Sequence, residues 1–123
     1  MPKLSTRDKD KYRIGHMIEF CEKLVDMTTR LSEELLEDDW VQMYAVMQLF
    51  EMIGEASAKV SDDLKHASPD VPWQETTDMR NRLIHGYDDI EYHLLWLAMN
   101  EDVPPFLEQL YQVRKDLEVN THY

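Results

Sequence analysis

Along the first quarter of the chain, Tyr12, Ile14, Met17, Ile18, Cys21, Leu24, Val25 and Thr28 recur at steps of three and four. Charged residues (Asp8, Asp10, Glu19, Glu22, Lys23 and Asp26) fill the intervals. That period predicts an amphipathic helix over 6–30, opened by a cap at Ser5 or Thr6. "LSEELLEDD" reads as a short turn of helix behind Ser32 as N-cap. A second long helix is expected from Trp40 to about Val60, with Val41, Ala45, Leu49, Met52, Ile53, Ala56 and Val60 facing inward. Met43, Met47 and Met52 read as core fillers. Gly54 lies inside this helix, where glycine costs about 1 kcal/mol relative to alanine, so the close approach of another backbone is expected there.

"HASPDVP" interrupts the pattern at Pro69 and Pro72. Trp73 to His85 resumes it, with Trp73, Thr76, Thr77, Leu83 and Ile84 inward and Gly86 as the C-terminal stop. A last helix starts around Asp89 to Tyr92 and carries Leu94, Leu95, Leu97, Ala98, Val103, Phe106, Leu107, Leu110, Val113 and Leu117 on its core face. "EDVPPF" should kink it at Pro105, with Pro104 restarting the helix. The expected class is all-α, an up-and-down bundle of four long helices plus a short one. Residues 1–123 make a single domain, frayed at about 1–5 and 118–123.

Composition agrees with that class: 43% of residues are hydrophobic and only three are glycine. Cys21, the single cysteine, is expected as a buried, reduced thiol. No apolar run is long enough to span a membrane and the N-terminus lacks an apolar signal core, so a cytoplasmic location is expected. The formal charge is −12. Such a surface repels nucleic acid over most of its area, so RNA binding requires a local basic cleft; a basic protein partner is the other use of the charge.

Against that background "MRNRLIHGYDD" (79–89) gathers Arg80, Asn81, Arg82, His85 and Tyr87. On a helix, Asn81 and His85 share a face, as do Arg82 and His85. Arg80 is turned roughly 140° from His85 and reaches back toward it or across to another subunit. The carbonyl end of a helix favours imidazolium, which sets a histidine near neutrality for acid–base work. Guanidinium groups grip phosphate oxygens and stabilise charge developing on phosphorus. Such a pair has the chemistry to cleave RNA without metal: His85 takes the 2′-hydroxyl proton and arginine holds the phosphorane. By spacing alone the signal is weak, and a polar helix end is the favoured reading.

Other chemistries find less support. Di-iron bundles use Glu-x-x-His pairs, and no histidine here follows a glutamate at that spacing. Asp89 and His93 read as a helix-surface pair. Cys21 has only His16 nearby and apolar surroundings, which do not make a nucleophile. No Gly-rich phosphate loop is present, so the chain itself is expected to bind no cofactor.

"MRNRLIHGYDDIEYHLLWLAMNEDVPPFLEQL" and "IGEASAKVSDDLKHASPDVPWQETTDMRN" resemble the HepT-like toxin family of the HEPN superfamily, with the likeness running from about Arg7 to Leu110. Its marks are Ile53-Gly54-Glu55-Ala56, Pro72-Trp73, the Arg80, His85 and Tyr87 spacing, and the acidic-then-proline segment at Asp102, Pro104, Pro105 and Leu107. The resemblance implies a homodimeric HEPN-like bundle in which the motifs of two subunits face one cleft. It implies a metal-independent RNase toxin of the HepT/MntA type, with Arg80 and His85 catalytic and Asn81 assisting; Arg82 is a further candidate for contact with RNA phosphate. The implied partner is a minimal nucleotidyltransferase antitoxin that transfers AMP from ATP to Tyr87. Each AMP adds bulk and about one negative charge beside His85, enough to fill a cleft and repel an RNA backbone. Two positions depart from the family pattern. Gln48-Leu49 stand where members often carry Arg-Asn, and Asp88-Asp89 where an aromatic and a glycine are common. Both changes are expected to weaken RNA binding, and the aspartates to suit a basic antitoxin. The alternative within this resemblance is a non-catalytic helical module that only pairs with the nucleotidyltransferase.

Overall fold

The computed structural model describes residues 4–86 and 88–119, without the side chains at 85 and 86. Seven α-helices and one short hairpin make up the described residues: α1 (Thr6–Thr28), α2 (Glu33–Asp38), α3 (Trp40–Lys59), α4 (Asp62–Ala67), α5 (Trp73–Leu83), β1 (Ile84–Gly86), β2 (Asp89–Ile90), α6 (Tyr92–Leu97) and α7 (Val103–Val119). A π-helical turn, Ala98–Asp102, joins α6 to α7. The architecture is an all-α bundle in which α1 packs against α3 and α7, and α3 packs against α5.

Local chemistry starts these helices. Ser5 Oγ accepts from the Asp8 N–H at 3.0 Å, and Ser32 Oγ accepts from the Leu35 N–H at 3.2 Å. Asp39 Oδ1 caps α3 through the Val41 and Gln42 N–H groups. Each cap satisfies N–H groups that a helix start leaves without partners. One short helix, α4, forms between the second long helix and the prolines, where the pattern assigned no element; Ser61 caps it and Leu64 anchors it in the core. The Ser61 hydroxyl and N–H also donate to the buried Asp10 carboxylate, at 2.5 and 2.9 Å. A charge that would be costly to bury alone is thereby hydrogen-bonded, and it ties α1 to the start of α4.

At "EDVPPF" the chain passes through the π-helical turn into α7, whose first turn holds Pro104 and Pro105. On α1 and α7 the expected core face holds: Ile14, Met17, Ile18, Cys21, Leu24, Val103, Phe106, Leu107, Leu110, Val113 and Leu117 are buried. Tyr12 is instead 63% exposed. On α3 the expected stripe holds at Leu49, Ile53 and Val60, and the buried face also takes in Met43, Val46, Phe50, Gly54 and Ser57. Val41 is 53% exposed and Ala45 faces solvent. Leu94 likewise faces outward. Of the ends expected to fray, 1–3 and 120–123 lie outside the described residues, while Ser5 caps α1 and α7 continues to Val119.

Cys21 is fully buried, and its thiol is pushed up to about 12, first by burial and then by the Glu22 charge. A thiolate is the reactive form. Native protein at pH 8 is therefore expected to resist an aromatic disulfide reagent, with full, rapid labelling only in denaturant. The absorbance of the released thiolate reports both, and rapid labelling of the native protein would mean that Cys21 is open to solvent.

Candidate functional site

The motif rides on α5, and several contacts fix that helix against α3. Gly54 is the closest. A Cβ built there would meet the backbone carbonyl oxygens of Thr77 at 3.3 Å and Thr76 at 3.4 Å. The expected backbone approach is thus real, and it is α5 that approaches. The Ser57 hydroxyl donates to the Trp73 carbonyl at 2.8 Å, joining α3 to the first turn of α5. Trp73 Nε1 donates to the Ser68 carbonyl at 3.0 Å, which holds the Pro-rich segment over the same end.

From that anchor α5 carries Arg80, Asn81 and Arg82 into solvent; all three are exposed. Arg80 Nε donates to Glu51 Oε1 on α3 at 2.7 Å, and one terminal nitrogen reaches Asn81 Oδ1 at 3.4 Å. Glu51 was invisible as a site residue in the sequence, because it lies 29 positions away and has no local pattern linking it to Arg80. The pair is partly exposed, so it contributes little to stability. Its effect is orientation: gripping Nε fixes the plane of the guanidinium and leaves the remaining terminal nitrogen to an incoming oxyanion.

Arg82 goes elsewhere. It lines a cavity of about 350 Å³ between α1, α3, α5 and the π-helical turn, with Met79, Glu101, Asp102 and Phe106 among its walls. The two arginines of the motif thus serve different sides of α5. Asp102, Pro105 and Phe106 reach the same cavity, so the acidic-then-proline segment meets α5 in space.

His85 requires a correction. It is not in the last turn of a helix: α5 ends at Leu83, Ile84 is extended (φ −130°, ψ 103°), and His85 lies in β1. β1 pairs antiparallel with β2 through Ile84↔Ile90 and Gly86↔Asp89. Two steps on one strand face a single step on the other, so His85 is the extra residue of a β-bulge. The physical reason is competition. Ile84 is β-branched and buried, and Asp89–Ile90 offer its backbone a ladder while the Glu91 N–H donates to the Leu83 carbonyl at 3.0 Å. The helical-face argument linking Asn81 and His85 therefore fails, and Gly86 pairs with Asp89 and is not the helix stop. The side chain of His85, and Tyr87 altogether, lie outside the described residues.

The positions that depart from the family pattern separate in space. Leu49 is buried, so only Gln48 is available to a ligand, in a shallow groove with Tyr44, Met47 and Glu51. Asp88 and Asp89 are exposed at the hairpin. The expected Asp89–His93 pair does not form; His93 Nδ1 contacts Glu33 Oε1 at 2.6 Å, joining α6 to α2. Among the described residues, no His, Cys, Asp and Glu side chains are grouped to hold a metal ion, and no helix is long and apolar enough to cross a membrane.

Comparison with known proteins bears on this site. The family model described as "Ribonuclease HepT-like" matches residues 17–113, which include the whole 80–87 run. A protein of Methanocaldococcus jannaschii named "Putative RNase MJ1380" is 32% identical over 116 residues, covering 94% of this chain and 99% of its own. "Probable ribonuclease HepT" of Thermococcus cleftensis is 29% identical over 102 residues, covering 80% of this chain and 93% of its own. A Caldanaerobacter subterraneus protein named "Putative RNase TTE0752" is 29% identical over 100 residues, 81% of this chain and 89% of its own. No solved structure matches the chain.

Proposed function

Since the chain belongs to the ribonuclease HepT-like family, we propose that it is a metal-independent endoribonuclease acting as the toxin of a toxin–antitoxin pair. The observation that carries this reading is the exposed Arg80, held at Nε by Glu51, five residues before His85 in the matched run. His85 removes the proton of a ribose 2′-hydroxyl. The 2′-oxygen bonds to the adjacent phosphorus, Arg80 stabilises the charge on the phosphorane oxygens, and the bond to the 5′-oxygen breaks as that oxygen gains a proton. Asn81, within reach of the Arg80 guanidinium, helps to orient it. Arg82, on the other side of α5, is reserved for a more distant phosphate.

This chemistry has a direct test. Highly purified protein in excess chelator is expected to cut single-stranded RNA, leaving 2′,3′-cyclic phosphate ends, and to leave intact a substrate whose nucleotides are all 2′-deoxy. Cutting of the deoxy substrate would rule out 2′-oxygen attack.

The active species is a homodimer in which two Arg80–His85 sets share a cleft. Support comes from the exposed, apolar N-terminal half of α3. Trp40, Val41 and Tyr44 are 68%, 53% and 63% exposed, and Tyr44 borders the groove that contains Glu51. Isolated monomers seldom leave such residues clustered in water. Sedimentation showing only monomer at assay concentration would overturn the shared cleft.

The antitoxin is a minimal nucleotidyltransferase that transfers AMP to Tyr87. Incubation with that partner and ATP is expected to raise the intact mass of this chain by whole AMP units and to abolish cleavage, and Tyr87→Phe is expected to gain no mass and to stay active. Mass gain on Tyr87→Phe would remove Tyr87 from the role. The chain's negative charge and the exposed Asp88 and Asp89 also favour the second reading, a non-catalytic module docked on a basic partner. That reading predicts AMP addition with no cutting by any form of the protein.

A further inference from the structure

The exposed aromatic on α1 that the core does not claim has company. Tyr12, His16 and Phe20 stand at steps of four along the helix and contact one another in sequence. The Tyr12 and His16 rings have centroids 4.2 Å apart, and those of His16 and Phe20 are 5.9 Å apart. Phe20 packs against the core and His16 is half-buried, but Tyr12 is 63% exposed. The row forms one wall of a groove of about 260 Å³, whose other wall on α3 includes Met52, Ala56 and Lys59. Met52 is the neighbour of Glu51, which holds Arg80.

The N-terminal segment is rich in cations for so acidic a chain: five of the 13 lysines and arginines fall within the first 13 residues, against a net charge of −12. Lys9 lies three and four positions before Tyr12 and Arg13, hence on the same face, and Arg13 lines the groove itself. Neither is in a salt bridge with a described residue. Of the two acids in that segment, Asp10 is buried and engaged by Ser61, and Asp8 is exposed in the first turn of α1. Lys59 pairs with Glu55 in an exposed contact that a phosphate can displace. Nothing in the packing requires a solvent-exposed phenol between two unpaired cations. Both are what an unpaired base and its flanking phosphates require, since every base offers a π-face and the backbone offers charge.

We infer that the Tyr12–His16 end of α1, with Lys9 and Arg13, is a stacking platform that holds unpaired nucleotides of single-stranded RNA beside the Arg80 site. The inference rests on the ribonuclease reading and adds a substrate class: RNA with unstacked bases flanking the scissile phosphodiester, in preference to duplex. It also gives so acidic a protein two cations, Lys9 and Arg13, on the face that carries the aromatics.

The test measures binding and cleavage separately. Binding is read by anisotropy of a labelled 2′-O-methyl single-stranded oligonucleotide, which cannot undergo 2′-oxygen attack, and cleavage by the KM and kcat of the all-ribose sequence. A stacked base is worth roughly 1–3 kcal/mol, so Tyr12→Ala is expected to weaken binding and raise KM roughly 5- to 150-fold while kcat at saturating RNA stays within about twofold. Tyr12→Phe, which keeps the ring, is expected to restore both. Lys9→Ala with Arg13→Ala should flatten the salt dependence of binding by roughly 1.4 in log–log slope, about 0.7 per cation lost. If wild type cuts RNA and these variants bind and cut as it does, the platform is wrong and the ribonuclease reading stands. If wild type binds the oligonucleotide through Tyr12 but never cuts, the platform stands and the ribonuclease reading falls. Equal loss of duplex and single-strand binding in Tyr12→Ala, or no binding by wild type, overturns the platform.

Discussion

Replacing His85 by alanine is expected to lower RNA cleavage by about 10²- to 10⁴-fold, the range that a positioned general base contributes. Replacing Arg80 by alanine removes the donor aimed at developing phosphorane charge, and a loss on the order of 10²- to 10³-fold follows. In the proposed mechanism the two residues act in one step, so the double variant should lose little more than the worse single one. The loss at Arg80 should not come from unfolding. Arg80 is exposed, and its contact with Glu51 is a partly exposed pair, worth about 0–1 kcal/mol. Arg80→Lys should recover little, because an ammonium cannot be held by Glu51 at one nitrogen while presenting a fixed planar donor at another. Thermal melts of Arg80→Ala and Arg80→Lys should stay close to wild type. Cleavage that survives in both alanine variants, prepared free of contaminating nuclease, ends the Arg–His mechanism.

The second large effect is expected at Gly54. Valine there places a branched side chain where even a lone Cβ would lie 3.3 and 3.4 Å from the Thr77 and Thr76 carbonyl oxygens. Those atoms belong to the backbone of α5 and cannot swing aside as a flexible side chain does. Overpacking of this kind costs roughly 1–3 kcal/mol, and for a chain of this size each kcal/mol lowers Tm by roughly 3–6 °C. Alanine is the informative control: relief of the glycine penalty in a helix, about 1 kcal/mol, offsets a contact that is tight by only a few tenths of an ångström, so Gly54→Ala should melt near wild type. The functional consequence separates this site from an ordinary core position. Valine pushes α5 away from α3, and the 2.7 Å contact between Arg80 and Glu51 spans that same interface. Cleavage at a temperature where the variant is fully folded should therefore fall further than in a core variant of equal stability, such as Met17→Leu combined with Leu110→Val. Equal activity in the two would show that Arg80 does not depend on how α5 sits on α3.

The residues that announced themselves in the sequence did so through local pattern. The three- and four-residue steps on α1 and α7 marked the buried faces correctly because polar residues fill their other sides. Ser5 and Ser32 marked helix starts because capping needs only a side-chain oxygen and an N–H two or three residues on. α3 was harder. It is apolar around much of its circumference, with Trp40, Val41 and Tyr44 outside and Met43, Val46 and Phe50 inside. A period cannot select a face when several faces are apolar, so the choice fell to whichever side α1 and α5 covered. The arginine and histidine of the candidate site were legible as a chemical set, but their geometry was not.

The amino-acid order alone settled the all-α class and the position of the long helices, because each depends on residues within a turn or two of one another; Gly54 marked a close approach, but packing decided that α5 makes it. Where α5 stops, which partner holds Arg80, and that Arg82 serves a separate cavity were decided only on folding. Ile84 leaves the helix because Asp89–Ile90 come back to pair with it, and Glu51 meets Arg80 because two helices pack. Both are bargains between distant segments, and their energies exist only once the chain has brought those segments together.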